Sequence, residues 1–431
     1  MTRMNRRIVV TGLGAVSPLG IGGASHWEGL LAGRSAIARV DRLTRLGFPV
    51  DVAAEVPEAA VAACLPRLPR KQLKLYNRAT TFAMTAAILA AEDAGLKFPV
   101  DDPTRAGVIL ATLFIPYPIQ DLLRHLTGLE ASDQPNQIDM GRALQLSMTA
   151  VNPLDLSLKI VPNLTAGHIA INFGLRGFCR TVSDGCTGGM HAIGQAMMAI
   201  REGELDVALC GGAESPMDDL VFADLCSTDL LAVPGDRPDR TCRPFGRRRM
   251  GTVAGEGAAV LVLEVYEHAQ HRAARIRAEV TGFGAAIGEL TLAGVQGSSD
   301  RAMRAALADG QGESVDVVSA NGDSSPMNDQ AEAVAIRAMC GTQGTSPAIY
   351  ATKGAHGNLF SAAAPLEVAT AVMALEHRMV PPSLNCDDPD PECGLILSGS
   401  APYPLPGMRA ALVNAIGAFG EAASLVVIRA E

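Results

Sequence analysis

This chain repeats itself. Val10-Thr11-Gly12-Leu13-Gly14-Ala15 recurs as Val280-Thr281-Gly282-Phe283-Gly284-Ala285, in each copy a short β-branched strand running into a glycine-rich turn. A second repeat pairs Gly255-Glu256-Gly257-Ala258-Ala259-Val260-Leu261-Val262-Leu263 with Gly420-Glu421-Ala422-Ala423-Ser424-Leu425-Val426-Val427-Ile428. Each copy reads as a small-residue turn followed by a buried strand. The two pairs occur in the same order, which predicts a duplicated α/β unit with halves at 1–265 and 275–431. The length demands some such division, because a single core stops growing at about 250–300 residues and this chain has 431.

Between the strands, small residues over 80–94 predict a helix packed close to its neighbours. Met190, Ile193, Met197 and Ile200 predict a second helix over 187–200, with Gly203 as its C-cap. Strands alternating with helices make the fold α/β. Residues 116–153 lack periodicity and read as a surface or dimer-interface excursion. With 48% hydrophobic and 19% charged residues the chain is no disordered protein, and a net charge of −9 argues against bulk nucleic-acid binding. No apolar run approaches the roughly 18 residues of a membrane span. The basic start (Arg3, Arg6, Arg7) is interrupted by Thr11, Gly12, Gly14 and Pro18 too early for a signal peptide, so a cytoplasmic setting is expected. Nine cysteines, none spaced C-x-x-C, suggest neither a disulfide framework nor a zinc site.

The chemistry is expected at Thr181-Val182-Ser183-Asp184-Gly185-Cys186-Thr187-Gly188-Gly189. A strand ends, Gly185 permits a tight turn, and Cys186 stands at a helix start. There the unpaired N–H groups and the positive end of the helix dipole favour a thiolate, predicting a lowered thiol pKa. The same N–H groups can receive the oxyanion of an acylated sulfur. Cys186 is therefore the expected nucleophile, and the other eight cysteines are expected to be structural.

These segments, together with Arg7-Ile8-Val9-Val10, Pro162-Asn163, Gly174-Leu175-Arg176-Gly177, Arg243-Pro244-Phe245, Thr352-Lys353 and Val380-Pro381-Pro382-Ser383, resemble a β-ketoacyl synthase over residues 6–429. The closest subgroup is the stand-alone condensing enzyme that works on acyl carrier protein. The resemblance implies a thiolase-like fold, duplicated in five α-β-α-β-α layers and usually homodimeric. It implies that Cys186 takes an acyl chain from a carrier's phosphopantetheine arm, with no resident metal or organic cofactor. It also implies a buried Lys353–Glu367 pair that orders the active-site loops, and a packing role for His191.

The departures matter more. Two histidines normally partner the cysteine, one opening a His-Gly-Thr segment and one closing Lys-x-x-x-Gly-His. Here they are Asn321 and Asn358. An amide can donate a hydrogen bond to a thioester oxygen but cannot carry a proton near neutral pH. The family's glycine-rich gate aligns with Gly417-Ala418-Phe419-Gly420-Glu421-Ala422, placing Ala418 and Phe419 at the pocket gate, with the Ala418 N–H completing the oxyanion hole. Glu421 and His356 are candidate replacement bases. Arg67, Arg70, Lys71, Lys74 and Arg78 form a basic stretch suited to docking an acidic carrier protein; Arg247-Arg248-Arg249 is a second cluster. The expected activity is acyl loading on Cys186 followed by a non-decarboxylative step such as aldol or lactone-forming cyclisation. The nearest analogues are diverged ketosynthases of γ-lactam-β-lactone natural products. The alternatives are ordinary decarboxylative elongation and a non-catalytic partner resembling a chain-length factor.

Overall fold

The structure, a computed structural model, describes residues 6–430 apart from 313, 345 and most of 115–157. The predicted excursion over 116–153 thus lies almost wholly outside the described residues. One large mixed sheet runs through the protein. Its N-terminal strands are β1 (Ile8–Ser17), β2 (Ala106–Ala111), β3 (Cys179–Val182), β4 (Val207–Glu214) and β5 (Gly257–Val265). Its C-terminal strands are β6 (Ala278–Ile287), β7 (Val317–Ser319), β8 (Ala348–Tyr350), β9 (Ala410–Ile416) and β10 (Glu421–Arg429). The order across the sheet is β8-β7-β9-β10-β6-β1-β5-β4-β2-β3, with Gly20–Ile21 added beside β1.

Read outward from the centre, both halves follow one plan. The first strand pairs antiparallel with the fifth and the fifth antiparallel with the fourth; the fourth then pairs parallel with the second, and the second parallel with the third. The halves meet where Val9 and Val10 pair with Glu279 and Ala278. Even the irregularities correspond: the β1/β5 register slips at Thr11 and the β6/β10 register at Thr281.

The repeated glycines have a packing reason. Helix α1 (Arg78–Asp93), whose first turn is capped by Asn77 accepting from Thr80 N–H (2.7 Å), crosses β1 closely. A Cβ on Gly12 would lie 2.1 Å from the Ala90 carbonyl oxygen, and one on Gly14 1.9 Å from that of Ala86. In the second half Gly282 and Gly284 make the same approach to Ala306 and Ala302 of helix α4 (Leu292–Asp309).

Helix α3 (Gly188–Arg201) and helix α6 (Ala363–His377) lie between the two half-sheets, in one core cluster that draws on strands of both. Helices α1 and α2 (Asn163–Phe173) cover the outer face of the first half-sheet. Helices α4 and α5 (Pro326–Gln343) cover that of the second. Among the described residues, no helix is long and apolar enough to cross a membrane, and no group of His, Cys, Asp and Glu is arranged to hold a metal ion.

Candidate active site

Strand β3 ends at Val182, Gly185 turns with φ 58°, and Cys186 occupies a single 3₁₀ turn (Gly185–Thr187) that feeds directly into α3. Met190, Ile193, Met197 and Ile200 of that helix are all buried, and Gly203 follows its end with φ 79°. Cys186 opens onto a cavity of about 160 Å³. The walls are apolar (Leu113, Phe114, Leu225, Leu230, Phe360), with Phe114 and Phe360 edge to face at 5.0 Å. The carboxylates and amides are Asp323, Asn328, Asn358 and Glu421, with Asp224 at the exposed side, and Thr228, Thr252 and Ser325 add hydroxyls. No histidine lines this cavity among the described residues.

The thiol pKa departs from the expectation. Burial, and then the carboxylates of Asp323 and Glu421, push it up to about 12, while Lys353 opposes them. Burial first, and then the neighbouring carboxylates, set a direction opposite to the one expected from the helix terminus.

Asn321 and Asn358 are both buried. Asn358 lines the cavity, and its Oδ1 accepts from the Phe360 N–H (3.0 Å), leaving its NH₂ as the free side of the amide. Asn321 sits behind the wall. Its Oδ1 accepts from the Ile416 N–H (3.2 Å) and from Lys353 Nζ (3.3 Å), and its buried Nδ2 has no hydrogen-bond partner. Lys353 also donates to the Asn321 carbonyl (2.5 Å) and makes no ion pair within 4 Å with Glu367. The expected Lys–Glu pair is therefore replaced by a Lys353–Asn321 contact. Glu367 instead meets the Thr352 hydroxyl (2.5 Å) and lies 3.7 Å from His356 Nε2.

His356 is not placed as a base toward Cys186. It is fully buried outside the cavity lining, with Nδ1 on the Gly357 carbonyl (2.8 Å) and Nε2 on the Thr352 hydroxyl (3.0 Å). Burial and then Lys353 lower its pKa to about 3, so the ring is neutral. Glu421 is well placed. A Cβ built on Gly185 would lie 2.8 Å from Glu421 Oε1, which sets the carboxylate over the residue preceding Cys186. Its Oε2 accepts from the Phe419 N–H (2.8 Å), and burial raises its pKa. Its counterpart in the first half, Glu256, is neutralised by Arg78 (2.6 Å); Glu421 has no cation within 4 Å among the described residues. Ala418 lines the same cavity, and its N–H has no acceptor among the described residues. Phe419 lines the cavity edge but is 71% exposed, so it stands at the mouth rather than across it.

His191 bonds Asp184 through Nδ1 (2.8 Å) and packs edge-on against Phe283. In the basic stretch, Arg67 is spent on Glu92, and Arg78 on Glu58 and Glu256. Arg70, Lys71 and Lys74 are exposed without an ion-pair partner among the described residues. Arg249 is buried against Asp390 (2.5 Å), and Arg247 and Arg248 reach Asp388 (3.7 and 3.4 Å). Asp323, which lines the cavity with only 6% of its surface exposed, is the residue that reading the sequence missed. Its signal was present: a carboxylate where the His-Gly-Thr segment has threonine.

The duplicated sheet and the cysteine at the strand-to-helix turn define a thiolase-like enzyme fold. The chain belongs to the β-ketoacyl synthase family, whose members are acyltransferases: residues 5–269 match the β-ketoacyl synthase N-terminal domain and residues 274–387 its C-terminal domain. It is 33% identical to the 3-oxoacyl-[acyl-carrier-protein] synthase 2 of Vibrio cholerae, over 98% of this chain and 99% of that one. It is 34% identical to a putative polyketide β-ketoacyl synthase 1 of Streptomyces halstedii, covering 91% of each. Among solved structures, it matches a type II polyketide ketosynthase in complex with its acyl carrier protein, bound to a hexaketide (TM-score 0.81, 27% identity, 99% of this chain and 100% of that one).

Proposed function

We propose that this protein loads an acyl chain from an acyl carrier protein onto Cys186 and carries it through a non-decarboxylative reaction. The reaction proposed is an intramolecular aldol or lactone-forming cyclisation with release, in polyketide-type secondary metabolism. The observation that carries this reading is that, among the described residues, the Cys186 cavity has no histidine and its ionisable groups other than the thiol are carboxylates. Without an imidazole, the acid–base work falls to the carboxylates. Glu421 serves as the base that draws a proton from the loaded chain. The Ala418 N–H and the Asn358 amide stabilise the developing oxyanion. Asn321, held by Lys353, shapes the wall behind them, and Phe419 guards the mouth.

The carrier brings its own phosphopantetheine, so the reaction so read calls for no resident cofactor. Arg70, Lys71 and Lys74 are the docking charges, and the working unit is a cytoplasmic homodimer. Decarboxylative elongation is the second reading; it is favoured by the similarity to the Vibrio cholerae synthase. Two measurements test the choice. Intact-mass analysis with an acyl-carrier substrate is expected to show an adduct that disappears in Cys186→Ala. Malonyl carrier protein is expected to release no carbon dioxide above background; robust release would establish elongation instead.

A further inference from the structure

Acylation of Cys186 requires its S–H proton to leave as the sulfur attacks, and Cys186 opens onto a cavity that holds ionisable groups. Something in the cavity must take the proton as the sulfur attacks. Among the described lining residues, the proton acceptors are Asp224, Asp323 and Glu421. Asp224 is exposed to solvent. Glu421 is held over Gly185 and given above to the loaded chain. Asp323 is buried, and its geometry is set by two neutral donors: Oδ1 accepts from the Ser325 N–H (2.9 Å) and Oδ2 from Asn328 Nδ2 (3.0 Å). Each oxygen keeps a lone pair, and no cation lies within 4 Å of the carboxylate among the described residues. The Asn328 amide is anchored in turn to the Gly417 carbonyl (3.4 Å), which ties Asp323 to the turn carrying Ala418. A buried, unneutralised and rigidly held carboxylate beside a nucleophile has the attributes of a general base.

We propose that Asp323 is the general base of the loading half-reaction, distinct from the base of the second step. Asp323 takes the S–H proton while the sulfur attacks the carrier thioester carbonyl. The carbon–sulfur bond to the phosphopantetheine then breaks, and the Asp323 carboxylic acid returns the proton to the leaving thiolate. The acyl group ends on Cys186, the arm leaves as a thiol, and Asp323 is again a carboxylate. The two half-reactions thus use two carboxylates that line the cavity of one cysteine.

This proposal rests on Cys186 loading, and the test separates the two. The charges acting on Cys186 are Asp323, Glu421 and Glu214 against Lys353. If Asp323 acted through charge alone, Asp323→Asn would ease thiolate formation and speed every reaction of the sulfur. The base assignment predicts opposite signs in two assays. Alkylation of Cys186 by iodoacetamide, followed by peptide mass mapping across pH, is expected to shift to lower pH in Asp323→Asn. Loading from an acyl carrier protein is expected to slow by on the order of a hundredfold, with partial recovery in Asp323→Glu. Asp323→Ser gives the same readings should the asparagine variant not fold. Loading at the native rate or faster in either folded variant overturns the assignment. Absence of any adduct on the unmodified protein refutes the loading reading itself.

Discussion

The buried His356 makes a sharp prediction about acid stability. Its ring is neutral in the fold with a pKa near 3, but 6.5 is its ordinary value once the chain unfolds. The unfolded state therefore binds the proton first, and stability falls as pH drops through 6.5 toward 3. Between pH 7 and pH 5 this one group removes about 2 kcal/mol. His356→Gln loses two ring hydrogen bonds and some packing, so at pH 7 it is expected to be roughly 2–3 kcal/mol less stable. Its further loss between pH 7 and pH 5 should be about 2 kcal/mol smaller than that of the unmodified protein. Glu214, whose pKa burial raises to about 7, also titrates in this window, but it is common to both proteins and cancels in the difference. Urea unfolding at fixed protein concentration can follow the single tryptophan, Trp27, which is buried and stacked on His377. An equal pH 7 to pH 5 loss in both proteins would show that His356 is already charged in the fold and refute the reasoning.

Three other outcomes are expected. Glu421→Gln should still form the Cys186 adduct but stall there, so mass spectrometry should find acyl-enzyme accumulating by at least tenfold over the native steady state. Reversing Arg70, Lys71 and Lys74 to Glu should raise the KM for carrier protein by on the order of tenfold and flatten its salt dependence, with the melting temperature unchanged. Gly14→Ala should cost about 1–3 kcal/mol, read as a lowered Tm, because its methyl collides with the backbone of α1 rather than with a movable side chain.

Much of the architecture was legible because its causes are local. The glycines at 12, 14, 282 and 284 mark strands crossed closely by helices, a constraint that any larger side chain at those positions would violate. Cys186 announced itself through the Gly185 turn and the apolar spacing of the helix after it, both contained within some fifteen residues. The two asparagines were equally plain, since each stands within a recognisable short segment.

What the chain alone determined was therefore the duplication, a cysteine at a strand-to-helix turn, and asparagines in the two segments where the family carries histidines. The tertiary structure decided which charges those features meet. It spent Arg67, Arg78 and the 247–249 arginines on acidic partners, turned Lys353 to Asn321, sealed His356 away from the cavity, and gathered Asp323 and Glu421 beside Cys186. Those carboxylates reach the sulfur only through strand order in the second half-sheet. Burial first, and then these carboxylates, raise the thiol pKa where the helix terminus predicts a lower one, because burial and charge act through space while sequence patterns report only on neighbours along the chain.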